Sequence, residues 1–343
     1  MSEQSYIQDN DFDYIWDKIQ EKQLIYHQLL APNGQFNRKE FYKKMDGVPA
    51  IVMLDRNIFT MILELCENGS LRDKNRTADV GLIMIWAIMH DMYITPGYSV
   101  QEYATQRQDE HAASIEIQKF FEILKAYSPL EWLALAQERK DYIAPCLFSG
   151  NEASTLTKNA EGTIHYYMSY AAMIHLVRLY KNTKMTNLEK MLDFFNWTYD
   201  NIQTSAAIIV YVLLVIKKRN GIAPPHHVGN NSIEKVLSGC ENQAWDLTYL
   251  ANWFKITWTE SYTKTVFFAS ADKLFRVLLP EILAFYATAN DWYKNLLSKN
   301  EYTTLTDLLE KRNANRIMPD ITTEGMKELI KDETEKLKLE MNA

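Results

Sequence analysis

Cysteine is scarce in this chain, and the cysteines that are present follow no ligand or disulfide pattern. Cys66, Cys146 and Cys240 are odd in number and widely separated, which argues against a zinc site and against a disulfide framework. The opening sequence MSEQSYIQDNDFDY carries acids where an export signal would have a basic region followed by an apolar one. We therefore expect no export signal and a reducing, cytoplasmic location.

Long hydrophobic runs are also missing. The longest apolar run, from Ala206 to Ile216, is far short of the roughly 20 residues that a membrane-spanning helix needs. Basic residues at 217–219 complement the negative end of a helix, and Gly221 can terminate it. We interpret this run as a buried helix and expect no association with a membrane.

An excess of positive charge is absent as well. The net charge of −7 argues against a protein that coats nucleic acid through its overall field, although a local basic groove remains compatible with it. Each short basic group is equally typical of a solvated helix surface. The candidate groups are Arg38/Lys39/Lys43/Lys44, Lys217/Lys218/Arg219 and Lys311/Arg312/Arg316.

What is present is a folded chain in which strand-like and helical patterns alternate. Hydrophobic residues make up 47% of the sequence, enough to bury one large core or two medium ones. Short apolar runs at 48–54, 92–95 and 265–270 predict strands, and the segments between them have helical spacing. No repeat is apparent. These patterns predict an α/β protein.

The division of the chain follows from where these patterns change. We predict an N-terminal helical extension over residues 1–47 and an α/β core formed by residues 48–102 and 241–300. Residues 103–240 have helical spacing without a convincing strand pair, so we predict a long helical insertion there. The last part, residues 301–343, is a charged helical segment.

Acids recur where predicted strands end or helices begin. The segments in question are Val52-Met53-Leu54-Asp55-Arg56-Asn57, Ser99-Val100-Gln101-Glu102, Ala244-Trp245-Asp246-Leu247 and Phe268-Ala269-Ser270-Ala271-Asp272-Lys273. Together they resemble the PIN-like nuclease superfamily, whose members place dispersed acids at the carboxyl ends of parallel strands and on adjacent helices. The resemblance implies a three-layer α/β/α core with a mainly parallel sheet, interrupted here by the helical insertion.

The resemblance also implies a site and a reaction. It places Asp55 after the first strand, Glu102 on a following helix, Asp246 near another helix start and Asp272 after a late strand. Such acids would bind Mg²⁺ or Mn²⁺ and help water to attack a phosphodiester bond. The family favours RNA slightly over DNA as substrate. Side chains that could support the site are Asn57, Asn242 and Lys273.

Each acid also has a structural interpretation. Asp55 can cap the helix that follows it, Asp272 can cap the helix of KLFRVLL, and Glu102 has the spacing of a capping box with Ser99. Asp246 can face solvent on an amphipathic helix. If the acids do not converge, the competing function is a non-catalytic interaction protein on a PIN-like core, with a protein partner bound through residues 103–240.

A third possibility uses the dipeptide His90-Asp91, since an HD pair can belong to a metal-dependent phosphohydrolase. Neither His165 and His175, on a strongly helical segment, nor the pair His226-His227 supplies a further ligand spacing. We interpret these histidines as packed or surface residues. No glycine-rich phosphate loop and no serine nucleophile motif stands out.

Overall fold

The computed structural model describes residues 6–148, 162–203, 205–260, 263–314, 316–319 and 321–342. Residues 149–161 of the predicted insertion, like residues 1–5 of the predicted extension, lie outside the described part. The described helices are α1 (Asp9–Lys22), α2 (Arg38–Met45), α3 (Arg56–Asn68), α4 (Thr77–Met89), α5 (Ser99–Arg107), α6 (Glu110–Ala126), α7 (Pro129–Ala136), α8 (Ile164–Lys181), α9 (Asn187–Asn201), α10 (Ala206–Lys217), α11 (Ile233–Glu260), α12 (Lys273–Ala287), α13 (Ala289–Leu296), α14 (Lys299–Ala314) and α15 (Thr323–Asn342). The described strands are β1 (Ile25–Tyr26), β2 (Ala50–Leu54), β3 (Tyr93–Thr95) and β4 (Thr265–Ala269).

The strands form a small mixed sheet in the order β1-β4-β2-β3. β2 runs parallel to both of its neighbours, with Met53 opposite Thr95 of β3 and opposite Phe268 of β4. β1 pairs antiparallel with β4. The carboxyl ends of β3, β2 and β4 therefore lie along one edge of the sheet, which we call the carboxyl edge.

The α/β character predicted from the sequence is confirmed, with a helix-rich chain around a small sheet. β2, β3 and β4 lie where apolar runs predict strands, because each run is short and bounded by polar residues. β1 was not predicted. It has only two residues, Ile25 and Tyr26, and lies inside a segment whose helical spacing predicts helix throughout.

The chain divides into two compact units. The first contains residues 1–162 and 253–276 and holds the sheet; the second contains residues 163–252 and 277–343. These boundaries differ from the predicted division, since α5, α6 and α7 belong to the unit that holds the sheet. Helices α11 and α12 each have residues in both units.

The core of the first unit packs helices against the sheet. Nearly all of α4 is buried, from Thr77 through Ala87, which explains why its apolar residues lie on every face. Gly81 lets α4 approach α7 closely, because a Cβ atom built there would lie 2.6 Å from the backbone nitrogen of Ala136. Phe41 of α2 and Phe267 of β4 share this core, with ring centroids 5.8 Å apart.

The described elements of the second unit are all helices. α10 is the buried helix that the apolar run predicts, with every residue from Ala206 to Ile216 buried. Lys218 ends it in the left-handed conformation, with φ of 51°. No helix in the described ranges is long and apolar enough to cross a membrane.

Candidate functional site

Asp55 and Asp272 lie at the carboxyl edge of the sheet, just after the ends of two neighbouring strands. Asp55 directly follows β2, and its backbone N–H donates to the carbonyl of Ala269, the last residue of β4, over 3.0 Å. Asp272 follows Ala269 by three positions. The parallel pairing of β2 with β4 brings these residues to one place although more than 200 positions separate them in sequence.

Ser270 joins the two acids. Its hydroxyl donates to Oδ2 of Asp55, and the same hydroxyl oxygen accepts from the backbone N–H of Asp272 over 3.0 Å. Ser270 is fully buried, so this link is shielded from water. Local sequence patterns assign no role to Ser270. The feature that could have pointed to its place at the carboxyl edge is its position directly after an apolar strand.

Both acids also cap helices, as their structural interpretation predicts. Oδ1 of Asp55 accepts from the backbone N–H of Ile58 over 2.7 Å at the start of α3. Oδ1 of Asp272 accepts from the backbone N–H of Leu274 over 2.8 Å at the start of α12. Capping leaves further lone pairs on each carboxylate, because an ionised carboxyl group has about four acceptor positions.

Burial makes the charge on Asp55 costly. Its side chain is 3% exposed, and desolvation raises the pKa of Asp55 from 3.8 to about 7, with the negative charge of Asp272 adding to the rise. Hydrogen bonds from the Ile58 backbone and from Ser270 oppose it. The neutral form of this carboxyl group is therefore favoured well above the usual pH range of an aspartate.

Tyr26 and Arg276 also belong to this region, although no pattern in the sequence singles them out. Burial raises the pKa of Tyr26 to about 12, the charge on the Arg276 guanidinium opposes the rise, and the charges of Asp272 and Asp55 add to it. Arg276 is anchored by its Nη2, which donates to the carbonyl of Lys22 over 2.6 Å. The charges of Arg276 and of the two acids therefore all act on Tyr26.

Glu102 lies on the helix that follows β3, as the resemblance implies. It is buried, and its Oε1 accepts from the side-chain amide of Gln106 over 3.1 Å. The predicted capping box is wrong: Ser99 is the first residue of α5, and its hydroxyl donates to the carbonyl of Leu54 over 2.8 Å. This hydrogen bond holds the start of α5 against Leu54, the residue before Asp55. Glu102 lies three residues after Ser99 in the same helix.

Asp246 belongs to the second unit. It lies in the middle of α11, a helix of 28 residues that begins at Ile233, so its predicted place near a helix start is wrong. The reason is that helical spacing continues on both sides of this residue. Its Oδ2 accepts from the amide of Gln243 over 3.3 Å, and its charge adds to the rise that burial causes in the pKa of Tyr211.

The predicted supporting side chains are exposed. Asn57 lies in the first turn of α3, Lys273 is the first residue of α12, and Asn242 lies on α11 in the second unit. Asn57 does act on Asp55, but through its backbone N–H, which helps to lower the pKa of that carboxyl group.

Helix starts add positive potential to the carboxyl edge. α3 and α12 begin immediately after Asp55 and Asp272, and α5 begins at Ser99, which binds the end of β2. The first turn of a helix presents unsatisfied N–H groups and the positive end of the helix dipole, which favour an anion such as a phosphate. Asp55 and Asp272 already accept from first-turn N–H groups of α3 and α12, so the two acids and these helix starts are direct neighbours.

Among the residues that the structure describes, no three histidine, cysteine, aspartate or glutamate side chains are arranged to hold a metal ion together. Asp55 and Asp272 remain as a pair of carboxylates joined through Ser270. A pair is a donor set that Mg²⁺ uses in proteins, because this ion keeps several waters and often takes its other ligands from substrate phosphates.

His90 has a packing role, and Asp91 lies in an exposed turn. The ring of His90 lies 5.0 Å from that of Phe41 and 5.1 Å from that of Trp86, between centroids. Burial lowers the pKa of His90 to about 4, and the charge of Arg38 contributes. Asp91 is exposed with φ of 50°, where the chain turns towards β3.

Each of the three predicted basic groups has a member in an ion pair. Nη1 of Arg38 lies 2.6 Å from Oδ1 of Asp13. Nζ of Lys217 lies 2.7 Å from Oε1 of Glu301, and both side chains are largely buried. Arg312 likewise pairs with an aspartate of α9. These contacts favour a structural role for the paired members.

No family model, curated protein or solved structure matches this chain. The chemistry of the carboxyl edge has to be inferred from its own residues.

Proposed function

We propose that the chain is a metal-dependent nuclease, an endonuclease or ribonuclease, with its reaction centre at the carboxyl edge. The observation that carries the proposal is the link from Asp55 through Ser270 to Asp272, which joins two acids across neighbouring parallel strands. Ligands commonly bind outside the carboxyl ends of the strands in open α/β sheets. The resemblance to PIN-like nucleases, with a three-layer core and a mainly parallel sheet, belongs to the same proposal.

The residues fit a hard divalent cation. Asp55 and Asp272 would hold Mg²⁺ or Mn²⁺ through carboxylate oxygens, the ligands that these ions prefer. The raised pKa of Asp55 supports this assignment, because burial leaves its charge short of compensation and a cation would supply it. When bound, the ion would polarise the phosphate and lower the pKa of water beside it. Glu102 joins the set in our proposal as the acid of the third strand's helix.

The protein's own groups have separate tasks in this reaction. Ser270 positions the Asp55 carboxylate through its hydroxyl hydrogen bond. The first turns of α3, α5 and α12 compensate negative charge on the phosphodiester. Arg276, whose charge acts on Tyr26 together with the charges of the two acids, would add positive charge to this region. Asp246 stays in the proposal as a fourth acid on the strength of the resemblance alone.

RNA is the proposed substrate, slightly favoured over DNA because of the resemblance, and the cytoplasm is the proposed location. All three cysteines are free thiols, which supports a reducing compartment. The basic residues Lys39 and Lys43 are exposed on α2, and they are the members of the basic groups that we expect to contact a phosphate backbone.

The alternative is a non-catalytic interaction protein on the same core, with its protein partner bound through residues 103–240. The burial of Asp55 and the use of both its oxygens in hydrogen bonds favour this alternative. Tyr166 and Tyr167 of α8 do not favour it, because both side chains are buried within the second unit.

Cleavage assays with purified protein test the proposal. We expect single-stranded RNA to be cleaved with Mn²⁺ or Mg²⁺ and not with EDTA, and we expect Asp55→Asn and Asp272→Asn to lose at least about a hundredfold in rate. Asn retains the size and capping ability of Asp, so circular dichroism should show an unchanged fold.

Asp91→Asn is the matched control. It removes one carboxylate from the first unit at an exposed position before β3, and Asn tolerates the left-handed backbone found there. We expect this variant to cleave like the wild type. Loss of activity in Asp91→Asn with retention in Asp55→Asn would favour the His90-Asp91 phosphohydrolase, and absence of cleavage and of metal binding under all conditions would favour the interaction protein.

A further inference from the structure

The second unit contains a pocket of about 310 Å³, lined by residues of α10, α12 and α13 and of the turn that follows α10. Its apolar wall is formed by Leu214 of α10, Ala284 of α12 and Leu296 of α13. Pockets that bind small molecules have volumes of roughly 300–1,000 Å³. This pocket is at the lower end of that range, so it has room for a molecule the size of an amino acid.

A half-buried carboxylate, Glu281 of α12, is fixed among the polar residues of this pocket. Its Oε1 accepts from Nδ2 of Asn220 over 2.6 Å, and its Oε2 accepts from Nε1 of Trp292 over 2.7 Å. Both donors are neutral, and each oxygen keeps a further acceptor position. In the part of the chain that the structure describes, Glu281 has no ion-pair partner. Its charge is therefore available to a cationic group of a ligand.

Arg219 brings the opposite charge to the same pocket. It lies in the turn after α10, where its backbone N–H donates to the carbonyl of Leu214 over 2.9 Å and the flanking residues Lys218 and Asn220 have φ of 51° and 55°. Its side chain is exposed, and among the described residues it forms no ion pair, with Glu281 or with any other acid. A guanidinium is well suited to a carboxylate, because it can donate two parallel hydrogen bonds.

We propose that this pocket binds a free α-amino acid with an apolar side chain. The ammonium group of the ligand donates to the remaining acceptor positions of Glu281, and its carboxylate accepts from the guanidinium of Arg219. The apolar side chain packs against the wall that Leu214, Ala284 and Leu296 form. A molecule that carries only one of the two charges leaves the other charged residue unmatched, so it binds more weakly.

This amino-acid site is independent of the proposed nuclease. All residues that line it belong to the second unit, whereas Asp55, Ser270 and Asp272 belong to the first. Binding of the amino acid requires no divalent cation, because both of its charged groups are matched by side chains of the pocket. A binding experiment in EDTA therefore tests this site alone, and its outcome leaves the nuclease proposal unchanged.

Calorimetric titration of the full chain in EDTA, with leucine as the probe, tests the proposal. We expect leucine to bind, and glycine, which lacks the apolar side chain, to bind at least about tenfold more weakly. Isoamylamine keeps the side chain and the ammonium group of leucine, and 4-methylpentanoate keeps the side chain and the carboxylate. Each of these should also bind at least about tenfold more weakly than leucine, because one charge-assisted contact is missing.

Two variants assign the charges to their residues. Glu281→Gln should weaken leucine and isoamylamine at least about tenfold and leave 4-methylpentanoate unchanged, and Arg219→Gln should weaken leucine and 4-methylpentanoate but not isoamylamine. Asp291→Asn removes an exposed carboxylate of α13 outside the pocket lining and should bind leucine like the wild type. The proposal is overturned if the wild type binds leucine no better than glycine or the two analogues, a comparison that needs no variant to fold. It is also overturned if folded Glu281→Gln or Arg219→Gln keeps the wild-type affinity for leucine.

Discussion

At the scale of single residues, the first unit places an acid where its charge is costly. Asp55 serves as a helix cap, a hydrogen-bond partner of Ser270 and a neighbour of Asp272. Capping alone does not call for burial, because exposed residues cap helices equally well. A buried acid beside a second acid is instead typical of sites where the charge has a use.

The pH dependence of stability measures the cost of this charge. The folded-state pKa of Asp55 is raised from 3.8 to about 7, so between these values the folded protein binds a proton that the unfolded chain has released. The unfolding free energy therefore falls as pH rises from about 4 to about 7, by up to roughly 4 kcal/mol. Asp55→Asn should lack this loss and be the more stable protein at pH 8 without metal.

Urea unfolding at pH 5 and pH 8 in EDTA provides the measurement. The quantity to compare is the change in unfolding free energy between the two pH values, because other titrating groups contribute equally to both proteins. Asp91→Asn, which removes an exposed carboxylate, should keep the wild-type change. Equal changes in wild type and Asp55→Asn would show that burial of Asp55 does not raise its pKa.

At the scale of elements, the first unit contains a close helix contact that leaves no room for a side chain. α4 and α7 approach each other at Gly81, where a Cβ would lie 2.8 Å from Cβ of Leu135 and 2.9 Å from the carbonyl oxygen of Trp132. Two of the three nearest atoms are backbone atoms, so a rotamer change cannot relieve the contact. Close packing, and not a positive φ, is the reason that glycine is required at position 81.

Gly81→Ala should therefore destabilise the first unit. Alanine is the better helix former, yet overpacking at such a contact costs typically about 1–3 kcal/mol, and the contact should outweigh the propensity. Gly229→Ala is the control, because nothing lies within 4 Å of the position that its methyl group would take, and it should change stability by less than about 0.5 kcal/mol. Thermal or urea unfolding measures the stability change of each variant. A Gly81→Ala variant that is more stable than the wild type would show that α4 and α7 can separate at little cost.

At the scale of the whole molecule, a metal that binds the folded acids must stabilise the protein. Mn²⁺ at ten times its Kd would add about 1.4 kcal/mol, which raises Tm by a few degrees. The rise should be larger at pH 8 than at pH 5, since protons compete for Asp55 at the lower pH. Asp55→Asn and Asp272→Asn should lose it.

Calorimetry with and without EDTA makes this measurement. Should the two units unfold in separate transitions, only the transition of the unit that contains residues 1–162 and 253–276 should move. A metal-induced rise of the same size in wild type and both variants would place the metal elsewhere, and the nuclease proposal would lose its main support.

Local patterns in the sequence by themselves determined the helices, β2, β3 and β4, and the capping roles of Asp55 and Asp272, because hydrophobic periodicity and cap chemistry act over a few residues. They failed for β1 and for the capping box at Ser99. There a pairing with β4 and a hydrogen bond to Leu54, both from distant parts of the chain, prevailed.

Only the tertiary structure decided what surrounds each side chain. The order of the strands brings Ser270 between Asp55 and Asp272, and burial then raises the pKa of Asp55. The same holds for His175, whose two carboxylate partners come from α9 and α15. Burial and long-range hydrogen bonds depend on which distant segments meet, and no pattern of neighbouring residues contains that information.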